Sequence, residues 1–317
     1  MRIAVVGLGS IAKRAYLPIL AALENVELVL CSRNREQLSQ LAARYRVRES
    51  TTSITDLSSM RIDAAFVHAA TEAHEDIVSF LLQRGMHVYV DKPLAYTLDA
   101  ASRLVTLSES TRRFLMVGFN RRYAPMYRLL ADQPERRVVL FQKNRRASAD
   151  IPRRVIFDDF VHVVDTLRFL SPGQVRDMKV DGYVDAGKLH HVLLQLGGAG
   201  FHFIGSMNRD SGAAEEVLEL MSPDNKWTVR GLVETTHWHA GTECVTRFDD
   251  WDSVLHRRGF PQIVRRFLDC VRGEQNGSAQ AQDALQTHAL CEQIVGVLEA
   301  DGASASRTQA GGVIRTP

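Results

Sequence analysis

The apolar positions of this chain change their period near residue 120. Upstream, short unbroken apolar runs alternate with longer segments whose apolar residues recur every three or four positions. The runs 2–6, 26–31, 64–69, 86–90 and 113–119 read as buried strands, with a short extra strand near 46–48. The segments 11–24, 35–45, 72–84 and 97–110 read as helices; Ile11, Tyr16, Leu17, Leu20 and Leu23 make the apolar stripe of the first. Regular strand–helix alternation predicts an α/β fold with a doubly wound parallel sheet over residues 1–120.

Downstream, candidate strands follow one another directly: 137–143, 177–184, 190–196, 200–207, 215–221, 226–231 and 241–248. Gly197-Gly198 and Pro223-Asp224-Asn225 are turn signals between neighbouring strands. One helix, 158–170, interrupts them, and two more near 260–272 and 281–299 close the segment. The pattern predicts an α+β domain over 121–300 with a large, mostly antiparallel open sheet. Residues 301–317, rich in Gly, Ala, Ser and Thr, read as a disordered tail.

Composition narrows the classes. A formal net charge of +2 makes no case for nucleic-acid or membrane binding. Arginine pairs such as Arg145-Arg146 and Arg153-Arg154 read as solvated faces. Cys31, Cys244, Cys270 and Cys291 form no CxxC pair and no zinc spacing, as expected of a reduced cytoplasmic protein. No apolar stretch approaches the ~20 residues of a membrane helix.

The loop Gly7-Leu8-Gly9-Ser10-Ile11-Ala12 follows the first strand and opens the first helix, the context of a dinucleotide fingerprint. Gly7 permits the tight turn, Gly9 lets a pyrophosphate approach the backbone, and Ala12 lets helix and strand pack closely. Such a loop identifies a Rossmann-type nucleotide fold; a plain tight turn would use the same glycines. The second strand ends at Ser32-Arg33 with no acid for a ribose 2′-hydroxyl, which favours NADP over NAD. If Arg33 only stacks on adenine, either cofactor fits.

Asp91-Lys92-Pro93 sits at the end of an apolar strand. The chain has only six lysines (13, 92, 143, 179, 188 and 226) among its 39 basic residues, so a lysine here invites a chemical reason. Lysine can shift its pKa and move a proton, whereas arginine effectively cannot. A surface lysine before a turn is the bland alternative. In the second domain Asp158, His162 and Asp165 fall at i, i+4 and i+7 of the lone helix. Asp158 can orient the His162 imidazole or bind a substrate hydroxyl, and His162 suits general-base work. A divalent metal ion or a simple helix cap would use the same spacing; no other ligand cluster supports a metal.

Together these motifs resemble the Gfo/Idh/MocA family of NAD(P)-dependent oxidoreductases, over nearly the whole chain except the tail. The matching segments are Gly7 to Ala12, Ala69 to His74 (AATEAH), Val90 to Pro93, Val117 to Pro125 and Asp158 to Asp165, with wording similar to the MviM-like branch. The resemblance implies Lys92, Asp158 and His162 as catalytic residues. It implies Gly7, Gly9, Ser10, Ile11, Ala12, Ser32, Arg33, Ala69, His74 and Lys92 around the cofactor. It implies hydride transfer to or from a sugar, cyclitol or related polyol, and a homo-dimer or tetramer. Asp91 replaces the family's glutamate, and Phe160 replaces a glycine that leaves room beside the substrate. Phe160, Asp165, Tyr123, Lys143 and Trp238 are weaker substrate candidates, open equally to ordinary packing roles. A nucleotide-bound scaffold without turnover, or a reductase of C=C or C=N bonds, stays open on the same fold.

Overall fold

A computed structural model describes residues 1–309, with the backbone alone at 301–309. The described residues divide into two compact units: Met1–Tyr123 with Ser253–His288, and Ala124–Asp252 with residues 289–309.

The first unit holds six strands: β1 (Arg2–Val6), β2 (Glu27–Cys31), β3 (Glu49–Thr51), β4 (Ala64–Val67), β5 (His87–Val90) and β6 (Leu115–Val117). All neighbours pair in parallel, in the order β3-β2-β1-β4-β5-β6. That is the doubly wound order of dinucleotide-binding domains, with its switch point between β1 and β4. The strands are apolar on both faces because helices cover both. The helix expected at 11–24 is shorter and uneven, with a π turn at Ala12–Tyr16 followed by α1 (Leu17–Leu20). Helices α2 (Arg35–Tyr45), α3 (His74–Gln83) and α4 (Leu98–Thr111) follow. Side-chain caps start two of them: Asn34 accepts from Gln37 N (3.0 Å) and Thr97 from Ala100 N (3.3 Å).

The domain boundary departs from the expectation of one continuous second domain over 121–300. Residues 253–288 return to the first unit. Phe260, Ile263, Val264, Phe267 and Leu268 join Ile3, Val5, Phe66 and Tyr89 in one buried cluster. Phe267 meets Phe66 edge-on at 5.1 Å and Tyr89 at 5.6 Å. The helix pattern at 260–272 was legible; which sheet would bury its apolar stripe was not.

The second unit is an eight-stranded sheet: β7 (Val138–Asn144), β8 (Val175–Asp185), β9 (Lys188–Gly198), β10 (Phe201–Asn208), β11 (Glu215–Ser222), β12 (Asn225–Arg230), β13 (Glu234–His239) and β14 (Thr242–Arg247). Their order is β14-β13-β12-β11-β7-β10-β9-β8, antiparallel except for β7 with β10. β13 was not anticipated, because its polar ETTHWH lacks an apolar run. The interrupting helix begins earlier than expected, as α5 (Pro152–Val155), a π turn at Ile156–Phe160, then α6 (Val161–Leu170). α6 lies hard against the sheet at Gly205, where a Cβ would fall 2.4 Å from Val163 Cγ1 and 2.9 Å from Leu167 Cδ1.

The last helix runs Gln280–Gln309, so residues 301–309 of the expected disordered tail are helical. Ala303 and Ala305 favour helix, and no proline or glycine falls between Gly302 and Gln309. Residues 310–317 of that expectation lie outside the described residues. Among the described residues no helix is long and apolar enough to cross a membrane.

Candidate functional site

In the first unit, backbone hydrogen bonds carry the parallel ladder one residue past the strands. Gly7 N bonds Cys31 O (2.9 Å), His68 N bonds Val6 O (2.8 Å), Asp91 N bonds Val67 O (2.9 Å) and Gly118 N bonds Val90 O (2.8 Å). Gly7, His68, Asp91 and Gly118 therefore line up along the carboxyl edge of the sheet, where α/β folds bind ligands.

Gly7 has φ +85°, and a Cβ there would lie 2.5 Å from Ala69 N. No other residue fits this turn, and the contact sets Ala69 against the glycine loop. Ala12 is fully buried beneath the loop, while Gly9 and Ser10 are exposed and Ile11 is half-buried. This open backbone cradle ahead of a helix fits a dinucleotide pyrophosphate. Ser32 is half-buried and Arg33 exposed, directly after β2.

Lys92 follows Asp91 directly, and its peptide bond to Pro93 is cis. His74 is 1% exposed, so its ring lies away from open solvent. Its Nδ1 meets Pro93 O at 2.9 Å and its Nε2 meets Ala69 O at 3.1 Å. Both neighbours are carbonyl acceptors, so a neutral ring donates to one of them; the expected cofactor residue sits buried between the glycine-side loop and the lysine segment.

A group not anticipated lies behind Lys92. Tyr16 and Tyr89 share a 2.7 Å hydroxyl hydrogen bond, and His68 stacks on Tyr16 at 4.0 Å. A Cβ on Gly118 would lie 2.8 Å from Tyr89 Oη, 3.2 Å from Asp91 Oδ1 and 3.3 Å from Tyr16 Oη, so the glycine keeps space for three converging oxygens. Burial pushes the Asp91 carboxyl up, against the Lys92 charge, the Lys92 N–H it accepts and nearby His74. Burial, aided by His74, lowers His68 to about 3, so its ring stays neutral. The sequence pattern shows Tyr16 only as an apolar helix position and Tyr89 only as part of the apolar run 86–90. Their pairing needed the parallel register.

In the second unit, Asp158 and Asp159 sit half-buried in the π turn, and His162 lies one turn on, 7% exposed. The regular helical spacing expected of Asp158 and His162 is thus replaced by a wide turn, a form that recurs at functional sites. Its anchor is Asp159. Arg145 donates twice to it (both 2.8 Å), Arg209 Nη1 donates at 2.7 Å, and Lys143 Nζ also pairs with it. Arg209 further bonds Ser148 O through Nε and Nη2, at 2.9 and 2.7 Å. Burial opposes ionisation of Asp159, but the Lys143 and Arg145 charges hold its carboxyl well below the usual carboxylate range.

Several expectations change here. Lys143 is no open substrate contact; its side chain is 1% exposed and tied to Asp159. Arg145 is no solvated-face residue but part of this hub, and Arg153 pairs with Glu292 (2.7 Å). Phe160 is fully buried and Asp165 is 1% exposed, so both face the interior rather than open substrate space. The turn points the Phe160 side chain into the core. Trp238 lies on β13 near the sheet edge, donating to Glu243 (3.1 Å) with Lys226 over its ring. Three strand spacings separate β13 from β7, about 14 Å, so Trp238 does not join Lys143. Tyr123 is half-buried against the first unit's core. Among the described residues no group of three or more His, Cys, Asp or Glu could hold a metal ion.

The parallel Rossmann sheet with this glycine loop, followed by a mostly antiparallel second sheet, defines an oxidoreductase class, and comparison agrees. Residues 1–119 match the oxidoreductase family with NAD-binding Rossmann fold, GFO_IDH_MocA, and residues 125–241 match the YceM-like C-terminal domain. YceM of Salmonella typhimurium is 31% identical over 311 residues, 96% of this chain and 99% of that one. The solved dehydrogenase MviM of Clostridium difficile has a TM-score of 0.89 at 31% identity, covering 94% of this chain and 99% of its own. Myo-inositol dehydrogenase Hyg17 of Streptomyces leeuwenhoekii is 30% identical over 193 residues, 57% of this chain and 59% of that one. The chain belongs to the Gfo/Idh/MocA family of oxidoreductases.

Proposed function

We propose that the protein transfers a hydride between a secondary alcohol and the nicotinamide of NADP(H) or NAD(H), the alcohol being a sugar, cyclitol or related polyol. The observation that carries this reading is Lys92 at the carboxyl end of β5, on the same sheet edge as the Gly7 cradle. The similarity to Hyg17, a myo-inositol dehydrogenase by name, supports a polyol. In the oxidative direction the carbinol C–H bond breaks with its electron pair, the C–O bond becomes a carbonyl, and the hydroxyl proton is released.

The cofactor supplies the hydride acceptor. Gly7, Gly9, Ser10 and Ile11 would hold its pyrophosphate. Ser32 and Arg33, with no acid beside them, favour a 2′-phosphate and so NADP. Lys92 hydrogen-bonds the substrate oxygen and lowers its effective pKa. His162 takes the hydroxyl proton, and Asp158 orients His162 or holds a neighbouring hydroxyl. The protein works on a small molecule in the cytoplasm, as a dimer or tetramer.

Titration of the purified protein with NADPH and NADH, followed by nicotinamide fluorescence, is the first test. Tighter NADPH binding is expected, and NADH preference would reduce Arg33 to an adenine contact. A polyol screen with Lys92→Ala and His162→Ala follows. General acid–base roles predict kcat losses of about 10²–10⁴-fold with nucleotide binding intact. Near-normal turnover in both variants would sink the assignment.

A further inference from the structure

The segment after β5 is held upstream by the sheet ladder and downstream by two buried histidines. Upstream, Asp91 N is fixed by Val67 O at 2.9 Å. Downstream, the Pro93 carbonyl meets His74 Nδ1 at 2.9 Å, and the Leu94 amide donates to His288 Nε2 at 2.9 Å. His74 stands at the start of α3, and His288 lies 194 residues beyond Leu94, in the helix that starts at Gln280. They are 1% and 0% exposed.

Each histidine is itself held. His74 Nε2 lies 3.1 Å from Ala69 O, so its ring faces two carbonyl acceptors and, when neutral, donates to one of them; the other nitrogen of His288 meets Ala284 O at 2.9 Å. Ala284 O can only accept, so His288 carries its proton on Nδ1 and keeps Nε2 as the acceptor Leu94 needs. Backbone anchors at 91, 93 and 94 thus bracket Lys92 and fix where its side chain begins.

We propose that His74 and His288 are positioning residues that clamp the Pro93-Leu94 backbone and thereby set the placement of the Lys92 amine. The proposal rests on the reading of Lys92 as a catalytic group, but its test needs no substrate. The probe is competitive labelling of the full-length protein with trace acetic anhydride across pH, read peptide by peptide. With only six lysines, the other five serve as internal standards for Lys92.

In His288→Leu the Leu94 anchor is lost, the loop opens locally, and Lys92 is expected to label several-fold faster with a displaced titration midpoint. Lys13, Lys143, Lys179, Lys188 and Lys226 keep their rates. His288→Gln, whose amide can accept from Leu94, returns Lys92 toward its original rate. His74→Leu makes the same test from the Pro93 side. Unchanged Lys92 rate and midpoint in folded His288→Leu and His74→Leu would overturn the clamp. So would failure of both variants to fold, since the histidines would then serve the fold alone. A protein that never turns over a polyol can still show the clamp, and a turning-over enzyme can lack it, so the two readings fail separately.

Discussion

Asp91 and Asp159 are both aspartates largely withdrawn from water with a lysine close by, and their acidities move in opposite directions. Asp91 ends a strand among Tyr16, Tyr89 and the space at Gly118, so burial dominates and its carboxyl is pushed up. Asp159 is also largely withdrawn from water, but the Lys143 and Arg145 charges hold its carboxyl down, and Arg209 pairs with it as well. Burial alone does not set a carboxylate's behaviour; the count and geometry of partners decide. One unit holds its chemistry on backbone and strand ends, the other on an ion-pair hub.

The largest expected effect lies at the hub. Asp159→Asn leaves Lys143, almost completely buried, beside two guanidiniums without their shared counter-ion. Breaking a buried pair costs about 3–5 kcal/mol, and a loss of that size in urea unfolding is expected. A loss below 1 kcal/mol would mean that the hub is solvated in solution. The sign with pH follows from the depressed carboxyl. Its stabilisation is fully present above the unfolded value of about 3.9 and is lost as pH falls through the lower folded value. The difference between the protein and Asp159→Asn should therefore hold steady from neutral pH to about 5 and shrink in stronger acid. A gap that closes near neutral pH instead would assign the stabilisation to some other group.

A smaller effect is expected at the strand ends. Gly118→Ala puts a methyl 2.8 Å from Tyr89 Oη and 3.2 Å from Asp91 Oδ1, and overpacking of this kind costs about 1–3 kcal/mol. Gly118→Ala with unchanged unfolding would show that the Tyr16–Tyr89 pair can move aside.

The two regions were unequally legible in the sequence. Gly7 to Ala12 and Lys92 declare themselves because a tight turn and a strand end are local events, and parallel order follows from strand–helix alternation. The hub joins β7, the π turn and the residue after β10, 50 positions from Asp159 to Arg209, so no local pattern could show it. Arg145 looked like a solvated charge for that reason. Phe160 was read against a glycine at the same place, although only the turn's direction decides that the ring enters the core. β13 was hidden because its pairing with β12 and β14, rather than its own apolarity, makes it a strand.

The smallest expected effect carries the opposite sign and tests the contrast most directly. Asp91→Asn keeps an oxygen to accept the Lys92 N–H while removing a charge that burial disfavours. A carboxyl whose folded pKa is raised contributes most at low pH, and folding loses stability as pH rises through the unfolded value near 3.9 and on to the higher folded one. Above both values the cost is constant. Asp91→Asn is therefore expected to raise Tm slightly at neutral pH, with the gain vanishing in acid, where Asp91 is protonated in both states. Thermal unfolding of both proteins across pH reads it. A lower Tm for Asp91→Asn at neutral pH would mean that the Lys92 ammonium outweighs burial, and that Asp91 is held by charge as Asp159 is.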